Sequence, residues 1–500
     1  MTLSSSKNIF LVITLISGLA ALVYIALRAN GDAENTDFSL QTTQPKDLPT
    51  DQTRAQLPAP GGDTTLQRQS GTSFVQPAPN LSSKEKLDFW TGFGFFRDPW
   101  VAAPASTTAR DGLGPMFSAR SCIACHSSGG RGYILPVSNH VSSVVFRVGV
   151  VDNANQWMPH PTWGGQIQTR STQEGFQSVE RHHLVMPEAK VSLRLADYAP
   201  SYTDAILQKL TYDIDEQASD TTNVSQSPYE IGISVRAAPS LLGLGLLEAI
   251  NDEDLRSMED PTDSDGDGIS GRVHMVPDRT SGDYKIGRFG WKAGHPTVLQ
   301  QTAAAIQEDI GITNHLFPTE SCTERQLSCK KAVSGNDPKE GVEIVEGLLD
   351  SLAFMTSALA LPPPSPASPK IVQGKALFND VGCQDCHRAS YVTGESDVEA
   401  FSNQEIWPYT DLLLHDMGPE LADTLPEHNA SGSEWRTPPL WGIGLMHRVN
   451  RSARLLHDGR AGTIEEAILW HGGEGQHSRE KFQALNPEER RALLAFVRAL

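Results

Sequence analysis

The motifs Cys122-Ile-Ala-Cys125-His126 and Cys383-Gln-Asp-Cys386-His387 decide how this chain folds. In each motif, two residues separate the cysteines and a histidine follows at once. This spacing sets the sulfur atoms one helical turn apart, so that they can form thioether bonds to the two vinyl groups of one haem while the histidine binds the iron. A zinc site or a thioredoxin-like redox pair uses C-x-x-C without requiring the adjacent histidine. We therefore predict two covalently bound haem c groups, with His126 and His387 as proximal iron ligands.

The composition is that of a folded, acidic protein. The chain has 500 residues, 39% of them hydrophobic and 20% charged, which is enough for two or three domains with a sizeable core. Its formal net charge of −19 argues against nucleic acid or an anionic membrane surface as a partner. The charge is compatible with a basic redox protein as electron donor or acceptor, and equally with a solvated acidic surface.

The N-terminus predicts export from the cytoplasm. Residues 9–27 form an uninterrupted apolar run without a charge, long enough to approach the ~30 Å hydrocarbon thickness of a bilayer. Arg28 and Asn30 follow directly, whereas a cleaved signal peptide usually has a shorter apolar region and a site of small residues. We expect an uncleaved helix that anchors the chain to the inner membrane, with its bulk in the periplasm. Cleavage and release into the periplasm is the alternative.

Two cysteines are left over once the haem motifs are assigned. Cys322 and Cys329 lie close together in the polar stretch SCTERQLSC. In an oxidising compartment, a disulfide that closes this loop is the natural interpretation, and free thiols are the alternative.

Composition divides the chain into four segments. We assign residues 1–29 to the membrane anchor or signal segment. Residues 30–84, rich in Thr, Gln, Pro, Asp and Ser, are assigned to a flexible linker because they bury too little apolar surface to fold. The prolines of 362–369 cannot continue a helix and mark a boundary. They separate an N-terminal haem c domain (85–364), which we expect to be catalytic, from a C-terminal cytochrome c domain (365–500).

The segments that carry periodic apolar residues indicate helices. Residues 341–361 show the helical repeat. The last helix has Asn486 as N-cap, Pro487 at its first position and Glu489 completing a variant of the capping box. We therefore predict a mainly α fold with two cytochrome-c-like haem units and long irregular insertions, preceded by one transmembrane helix.

An acidic loop follows the first half of the chain. Asp263, Asp265 and Asp267 occupy alternate positions, with Gly268 in the sixth position, as in a calcium loop. Because His274 stands where an EF-hand has its bidentate glutamate, the loop is not a complete EF-hand. Three neighbouring carboxylates favour a cation that offsets their repulsion. We predict one calcium ion here, and a solvated acidic turn is the alternative.

Over about residues 87–500, the chain resembles the bacterial di-haem oxidoreductases, relatives of the di-haem cytochrome c peroxidases and of the methylamine-dehydrogenase maturation enzyme. The family includes proteins called peroxidases, thiol oxidoreductases and surface cytochromes. The segments that carry the resemblance are DGLGP (111–115), RAAPSLLGLGLLEAI (236–250), DSDGDGISGR (263–272), GRFGWKA (287–293), YTDLLLHDMGP (409–419), WRTPPLWGIGL (435–445) and LHDGRAGTIEEAILWHGGE (456–474).

The resemblance implies a distal ligand for the second haem. In relatives, the helix after the HDGR-like turn carries this ligand, which looks to be Met in the peroxidases and Tyr in the maturation enzyme. Here His471 stands at that place, so we expect coordination by His387 and His471, with a lowered haem potential. Met417 is the second candidate, and a capping role for His471 is the alternative. The other candidates are His415, His457 and Met446.

For the first haem, the resemblance implies a peroxide pocket. The stretch that begins at Trp163 and contains Gln168 resembles the pocket lining of relatives. Glu180 fits the family spacing for a proton-transferring carboxylate better than Glu174, and burial would raise its pKa toward the useful range. Surface carboxylates on a loop are the alternative.

Two further residues bear on this haem. His140 is an alternative ligand that would close the first iron. Trp291 is similar to the inter-haem tryptophan of relatives, which offers a route for electrons, although a core tryptophan is also common.

These inferences predict a peroxidase-like di-haem c oxidoreductase. Hydrogen peroxide reduction, or a related high-valent-iron oxidation, would take place at the haem of His126, and electrons would arrive through the haem of His387. The alternative is a periplasmic electron-transfer cytochrome with both irons six-coordinate. A thiol oxidoreductase would require free C-x-x-C pairs.

Overall fold

The computed structural model of this chain describes residues 57–68, 74–134, 137–138, 143–151, 157–172, 187–216 and 230–500. All of them belong to one structural unit, Arg54–Leu500. Within these ranges, no helix combines the length and the apolar character needed to cross a bilayer. The apolar run 9–27, on which the predicted transmembrane helix rested, lies outside them.

The helices are mostly short. In chain order, the described α-helices are α1 (Ser83–Arg97), α2 (Cys122–Cys125), α3 (Leu244–Glu248), α4 (Asp252–Arg256), α5 (Val298–Ala305), α6 (Leu327–Lys330), α7 (Glu346–Ser357), α8 (Pro369–Asp380), α9 (Met446–Val449), α10 (Ile464–Leu469), α11 (Gln476–Ala484) and α12 (Pro487–Val497). A π-helix, Ile306–Ile310, continues α5 directly.

The strands form two three-stranded antiparallel sheets and several two-stranded ones. In chain order they are β1 (Met116–Phe117), β2 (Val137–Ser138), β3 (Val144–Val151), β4 (Trp157–Pro159), β5 (Arg170–Ser171), β6 (Ala189–Tyr198), β7 (Leu207–Glu216), β8 (Ile231–Ala237), β9 (Met275–Pro277), β10 (Tyr284–Ile286), β11 (Tyr391–Val392), β12 (Glu405–Ile406), β13 (Leu414–Asp416) and β14 (Glu434–Arg436). The larger sheets have the orders β4-β3-β8 and β2-β6-β7.

The prediction of a mainly α fold is wrong, and the predicted transmembrane helix has no counterpart among the described residues. Helices make up 30% and strands 19% of the described structure. The difference lies in the segment interpreted as an irregular insertion. In β6, Ala189, Val191 and Leu193 are buried, whereas Lys190 and Arg194 point to solvent. This alternation has the period of a half-buried strand, and the buried side chains share a small core with β3 and β8.

Two pairs of helices cross at unusually short distance, one pair for each haem motif. Helix α1 crosses α7 at Gly92, where an added Cβ would lie 2.0 Å from the carbonyl oxygen of Ser351. Helix α8 crosses α12 at Gly374, where a Cβ would lie 2.0 Å from the carbonyl oxygen of Ala492. Only glycine permits such close backbone contact. We call these two contacts the glycine crossings. Each places a helix just ahead of its C-x-x-C-H motif.

The largest core joins residues from both predicted haem domains. Phe89 and Leu352 share it with Tyr391 and Trp441. Phe74, Val75, Ala78 and Leu81, from the segment predicted as a linker, are also buried there. A second core surrounds the second motif and contains Phe378 and Phe496. The predicted domain limits stay predictions.

Candidate functional site

Both C-x-x-C-H motifs open into one internal cavity with a volume of about 420 Å³. The walls include the cysteines and histidine of each motif. Burial raises the pKa of the thiols of Cys122, Cys125 and Cys383 to about 12, so these thiols stay neutral. Since a thiol–disulfide enzyme depends on a thiol whose pKa is lowered, the cavity does not favour that class of chemistry.

The two motif histidines are held in the same way. Nδ1 of His126 lies 2.9 Å from the carbonyl oxygen of Pro239, and Nδ1 of His387 lies 2.9 Å from that of Tyr409. Burial lowers the pKa of both rings to about 4, so they are neutral. A neutral ring that donates from Nδ1 to a carbonyl presents the Nε2 lone pair, which is the arrangement of metal-bound histidines.

Two buried arginines fit the carboxylates that a haem carries. Arg131 and Arg436 line the cavity, and burial lowers the pKa of each to about 10. Both bond only to backbone carbonyls, and among the described residues neither has a carboxylate within salt-bridge distance. A buried cation is costly without a counter-charge. Haem propionates would supply it, so these arginines would hold the cofactor together with the motifs.

The second motif faces His471 across the cavity. Nδ1 of His471 lies 2.8 Å from the carbonyl oxygen of Ala467 on the preceding turn, and burial lowers the pKa of the ring. Its Nε2 is therefore presented in the same manner as that of His387. Met417 also lines this part of the cavity, because both side chains lie against Gly475. His471 and Met417 thus stay the two candidates for the distal ligand.

The structure gives His415 another role. Its Nδ1 lies 2.6 Å from Glu474 and its Nε2 2.8 Å from Asp411, so both ring nitrogens are occupied. Although burial opposes the charge, Asp411 raises the pKa of His415 well above its usual value. His415 is therefore an imidazolium fixed between two carboxylates and has no lone pair for iron.

His457 and Met446, two further candidates for the distal ligand, make contacts of other kinds. The ring of His457 stacks on Trp435 at 3.7 Å between ring centroids. Met446 is buried in the largest core and also lines the cavity. These contacts do not favour His457 or Met446 over His471 and Met417 as the distal ligand.

Beside the first motif, the cavity wall carries a half-buried acid that the sequence did not indicate. Asp309 lies on the π-helix, and burial raises its pKa to about 6, while a 2.9 Å hydrogen bond from Gln166 opposes this shift. Its charge acts on both Cys122 and Cys125, so the carboxyl group lies near them. π-Helical turns are frequent at functional sites because they displace one residue out of helical register.

The predicted peroxide-pocket residues have different positions. Gln168 does not line the cavity. Its side chain donates to the carbonyl oxygen of Glu308 and accepts from Ser118, and its backbone N–H donates to Glu188. Its neighbour Gln166 lies in the wall instead. The other predicted residues for this pocket, Glu180, Glu174 and His140, lie outside the described residues.

Ion pairs and one more histidine complete this part of the wall. Arg147 pairs with Glu308, and Arg236 pairs with Glu427. His295 also lines the cavity, and burial lowers the pKa of its ring to about 4. Its Nδ1 lies 3.4 Å from the amide nitrogen of Gln300. His295 is therefore a neutral imidazole that faces the cavity, and no sequence motif pointed to it.

Trp291 lies in the cavity wall, next to the segment that holds His126. Its indole N–H donates to the carbonyl oxygen of Ala237 at 2.8 Å, two residues before Pro239, which binds His126. Its own carbonyl oxygen accepts the backbone N–H of Arg436 at 2.9 Å. The guanidinium of Arg131 lies over its ring at 5.0 Å. Trp291 is thus in contact with both arginines that suit the propionates.

The three aspartates of the acidic loop and the cysteine pair do not line the cavity, although Ile269, two residues after Asp267, does. Ligand oxygens of Asp263, Asp265 and Asp267 all lie within 4.8 Å of one another. The loop is mostly exposed, and the set suits a hard cation such as calcium. Cys322 and Cys329 are joined in a disulfide.

Two haem motifs that share one cavity define a protein that holds two haems close together. The family model described as "Di-haem oxidoreductase, putative peroxidase" matches residues 55–148 and 133–500. The chain therefore belongs to the di-haem oxidoreductase family, as the resemblance predicted, and haem is its cofactor.

Other comparisons add little. No curated protein matches the chain. Among solved structures, a chain of "Kuenenia stuttgartiensis Hydrazine Synthase Pressurized with 20 bar Xenon" is similar at 20% identity and a TM-score of 0.21, over 31% of this chain and 55% of that one. This chain thus matches about half the length of that neighbour.

Proposed function

We propose that this protein is a peroxidase-like di-haem c oxidoreductase, which reduces hydrogen peroxide, or uses peroxide to oxidise another substrate, at the haem of His126. The observation that carries the proposal is the half-buried acid Asp309, which Gln166 holds in the wall of the shared cavity beside the first motif. Membership of the di-haem oxidoreductase family supports it. A carrier of electrons alone has no use for a proton-transferring group there.

The side chains of this pocket would handle the protons of the reaction. Bound haem supplies the iron that binds peroxide and exchanges electrons with it. Asp309, with a pKa of about 6, accepts a proton from the near oxygen of peroxide and returns it to the departing oxygen, which leaves as water. A carboxyl group whose pKa lies near the working pH is suited to both steps. Gln166 fixes its orientation.

Electrons would reach this pocket from the second haem past Trp291. The tryptophan is hydrogen-bonded to the segment that binds His126 and, through Arg436, to the segment that follows the second motif. Such a bonded route couples the two halves of the cavity better than a gap would. The second haem then serves as electron carrier, with His471 or Met417 as its distal ligand.

Three further features belong to the proposal. The haems are thioether-bonded, calcium occupies the loop of Asp263, Asp265 and Asp267, and the protein works in the periplasm with a redox protein as partner. The disulfide between Cys322 and Cys329 supports an oxidising compartment.

The test is electron paramagnetic resonance (EPR) of the haem-loaded, oxidised protein, with mass spectrometry to count attached haems. We expect two haem masses on the chain and a high-spin ferric signal that changes on addition of hydrogen peroxide, in the oxidised or the half-reduced protein. Two low-spin signals that peroxide leaves unchanged in both states would overturn the proposal.

One observation favours the second candidate, an electron-transfer cytochrome. His295 is a neutral imidazole in the same cavity, and it would close the first iron if it became the sixth ligand. A His295→Ala variant separates the two candidates. If a low-spin first haem becomes high-spin in this variant, His295 is the ligand and the native protein is a carrier.

A further inference from the structure

Outside the haem cavity, a stacked pair of oxidisable rings joins the distal side of the second haem pocket to the surface. The rings of Tyr198 and Trp470 are nearly parallel, with an interplanar angle of 8° and centroids 5.5 Å apart. Trp470 is fully buried and directly precedes His471 in the chain. Tyr198 is half-buried at the end of β6, in the sheet that the sequence did not predict.

The phenol of Tyr198 has a proton acceptor in place. Its hydroxyl donates to Glu420 at 3.0 Å, and this hydrogen bond, with burial, raises the pKa of the phenol above its usual value. A tyrosine loses an electron readily only if its proton leaves at the same time. Glu420 can take that proton and hold it until the ring is reduced again.

The indole of Trp470 is also arranged for electron transfer. Its N–H has no hydrogen-bond partner among the described residues. Arg460 lies over the ring at 4.7 Å, but Asp458 binds this guanidinium at 2.7 Å and offsets its charge. The buried ring of Trp470 is therefore next to an ion pair without net charge, and not next to an uncompensated cation.

A second aromatic series reaches the surface from the first haem pocket but differs in chemistry. The exposed Trp90 contacts Phe93 at 5.6 Å, Phe93 contacts Phe96 at 6.3 Å, and Phe96 contacts His126 at 6.5 Å between ring centroids. Two phenyl rings separate the indole from the histidine. Phenylalanine is much harder to oxidise than tyrosine or tryptophan, so this series packs the proximal side and cannot pass single electrons stepwise.

We propose that Tyr198 and Trp470 form a relay through which an outer-sphere one-electron donor at the protein surface reduces the second haem pocket. The proposal rests on the proposed function, since hydrogen peroxide is the oxidant. Trp470 gives one electron to the peroxide-oxidised centre and regains it from Tyr198, whose proton passes to Glu420. The donor then returns one electron to Tyr198, and Glu420 returns the proton. Two such turns, with two protons from solvent, reduce one hydrogen peroxide molecule to two water molecules.

The test uses the full haem-loaded chain and two probe donors, ferrocyanide and a reduced basic cytochrome c. In Tyr198→Phe the ring stack is kept and only the removable proton is lost. We expect the organic-radical EPR signal formed with peroxide to disappear, and oxidation of both donors to slow by about tenfold or more, roughly 1.4 kcal/mol in the barrier. Oxidation of the haems by peroxide itself should be as fast as in the native protein.

Controls separate the relay from a structural effect. Trp90→Phe changes the exposed indole of the second aromatic series, and Tyr284→Phe removes the hydroxyl of a tyrosine that is 69% exposed. Both should keep the radical signal and the native donor rates. Trp470→Phe should repeat the loss seen in Tyr198→Phe, and Glu420→Gln should change the pH dependence of donor oxidation. Slowing of the cytochrome alone would identify a protein donor, and slowing of both donors a general outer-sphere donor.

The failure modes are distinct. If peroxide oxidises the haems but Tyr198→Phe keeps the radical signal and oxidises both donors at the native rate, the relay is wrong and the proposed function stands. If peroxide leaves the haem spectrum of the native protein unchanged, the proposed function is wrong and the relay falls with it.

Discussion

The two haem-binding units share a framework but surround it with different polar groups. In each unit, a glycine crossing precedes the motif, a backbone carbonyl binds Nδ1 of the motif histidine, and a phenylalanine ring lies beside that histidine. Phe96 is 6.5 Å from His126, and Phe378 is 6.3 Å from His387, between ring centroids. This common set is what holding a haem by its proximal side requires.

The differences lie in the polar groups near each motif. Near the first motif, Asp309 is a half-buried acid with a raised pKa. Near the second, His415 is a buried cation between Asp411 and Glu474, and His471 presents a free ring nitrogen. In the proposed function, the first pocket moves protons and the second saturates an iron. The comparison teaches that the framework sets the cofactor and the surrounding segments set its task.

The largest expected effect concerns the acid of the first pocket. In Asp309→Asn we expect the rate of reaction with hydrogen peroxide to fall by about 10²- to 10⁴-fold, the usual contribution of a positioned proton-transfer group. Because the pKa of Asp309 is about 6, the native rate should rise with pH through that value as the carboxylate forms. Stopped-flow absorbance against pH measures both.

Glu320→Gln is the matched control for this variant. Glu320 is a buried carboxyl group whose pKa is raised to about 8, and it lies outside the cavity wall. Its variant should keep the native rate and pH profile. If Asp309→Asn keeps them too, the assignment of proton transfer to the first pocket is wrong.

The second prediction concerns the contribution of the buried His415 imidazolium to the free energy of unfolding. His415→Gln leaves Asp411 and Glu474 buried without a cation, which should cost about 3–5 kcal/mol of apparent unfolding free energy. Because the folded pKa of His415 is raised, its contribution is complete below the unfolded pKa of roughly 6.5 and is lost as pH rises through the folded value. The native advantage over the variant should therefore shrink in alkaline solution.

Urea denaturation at about pH 6 and about pH 9 measures this difference. A native advantage that grows with pH would show that His415 is neutral in the folded protein. The second pocket would then not differ from the first by a buried cation.

The glycine crossings test what the two units share. Gly92→Ala and Gly374→Ala each force a methyl group to within 2.0 Å of a carbonyl oxygen, and each should cost about 1–3 kcal/mol as the helices separate. Gly94→Ala, in the same helix as Gly92, meets nothing nearer than 3.9 Å and should be neutral or stabilise by up to about 1 kcal/mol. Chemical denaturation of the three variants measures these costs. If one crossing tolerated the methyl group, the two units would not share this feature.

The smallest effect concerns the starts of the two helices that precede the motifs. Ser82 caps α1 by accepting from Glu85, which binds back to Ser82, and Ser368 caps α8 by accepting from Ile371. Ser82→Ala and Ser368→Ala should each cost about 1 kcal/mol. Equal losses in thermal or urea unfolding would sharpen the analogy. A loss in only one would confine the shared framework to the crossings.

Features that depend on a few consecutive residues could be predicted from the sequence. The motifs gave both histidines and the cofactor class. The last helix begins as predicted, since Asn486 accepts from the backbone N–H groups of Glu488 and Glu489, with Pro487 in the first position. Such features depend on bonds between near neighbours, so spacing alone reveals them.

The rest depends on contacts between distant segments. Asp309 lies in a stretch that reads as ordinary helix, and only the fold brings Gln166 and the first motif to it. His415 was a reasonable ligand candidate until Glu474, 59 residues later, occupied its second nitrogen. The strand β6 is the exception. Its alternating pattern over 189–195 was present in the sequence, but prolines and glycines nearby suggested irregular structure.

The shared cavity has a consequence for how the protein is made. Its walls come from segments that run from Phe96 to Val497, so they are complete only when nearly the whole chain has folded. In these walls the thiols of Cys122, Cys125 and Cys383 stay protonated, because burial raises their pKa to about 12, and it is the thiolate that reacts. If the haems are thioether-bonded, as we propose, we expect their attachment to come before the last of these segments folds. We expect a molecule that receives one haem out of two to be less stable than the fully loaded protein, because each bound cofactor stabilises the folded state.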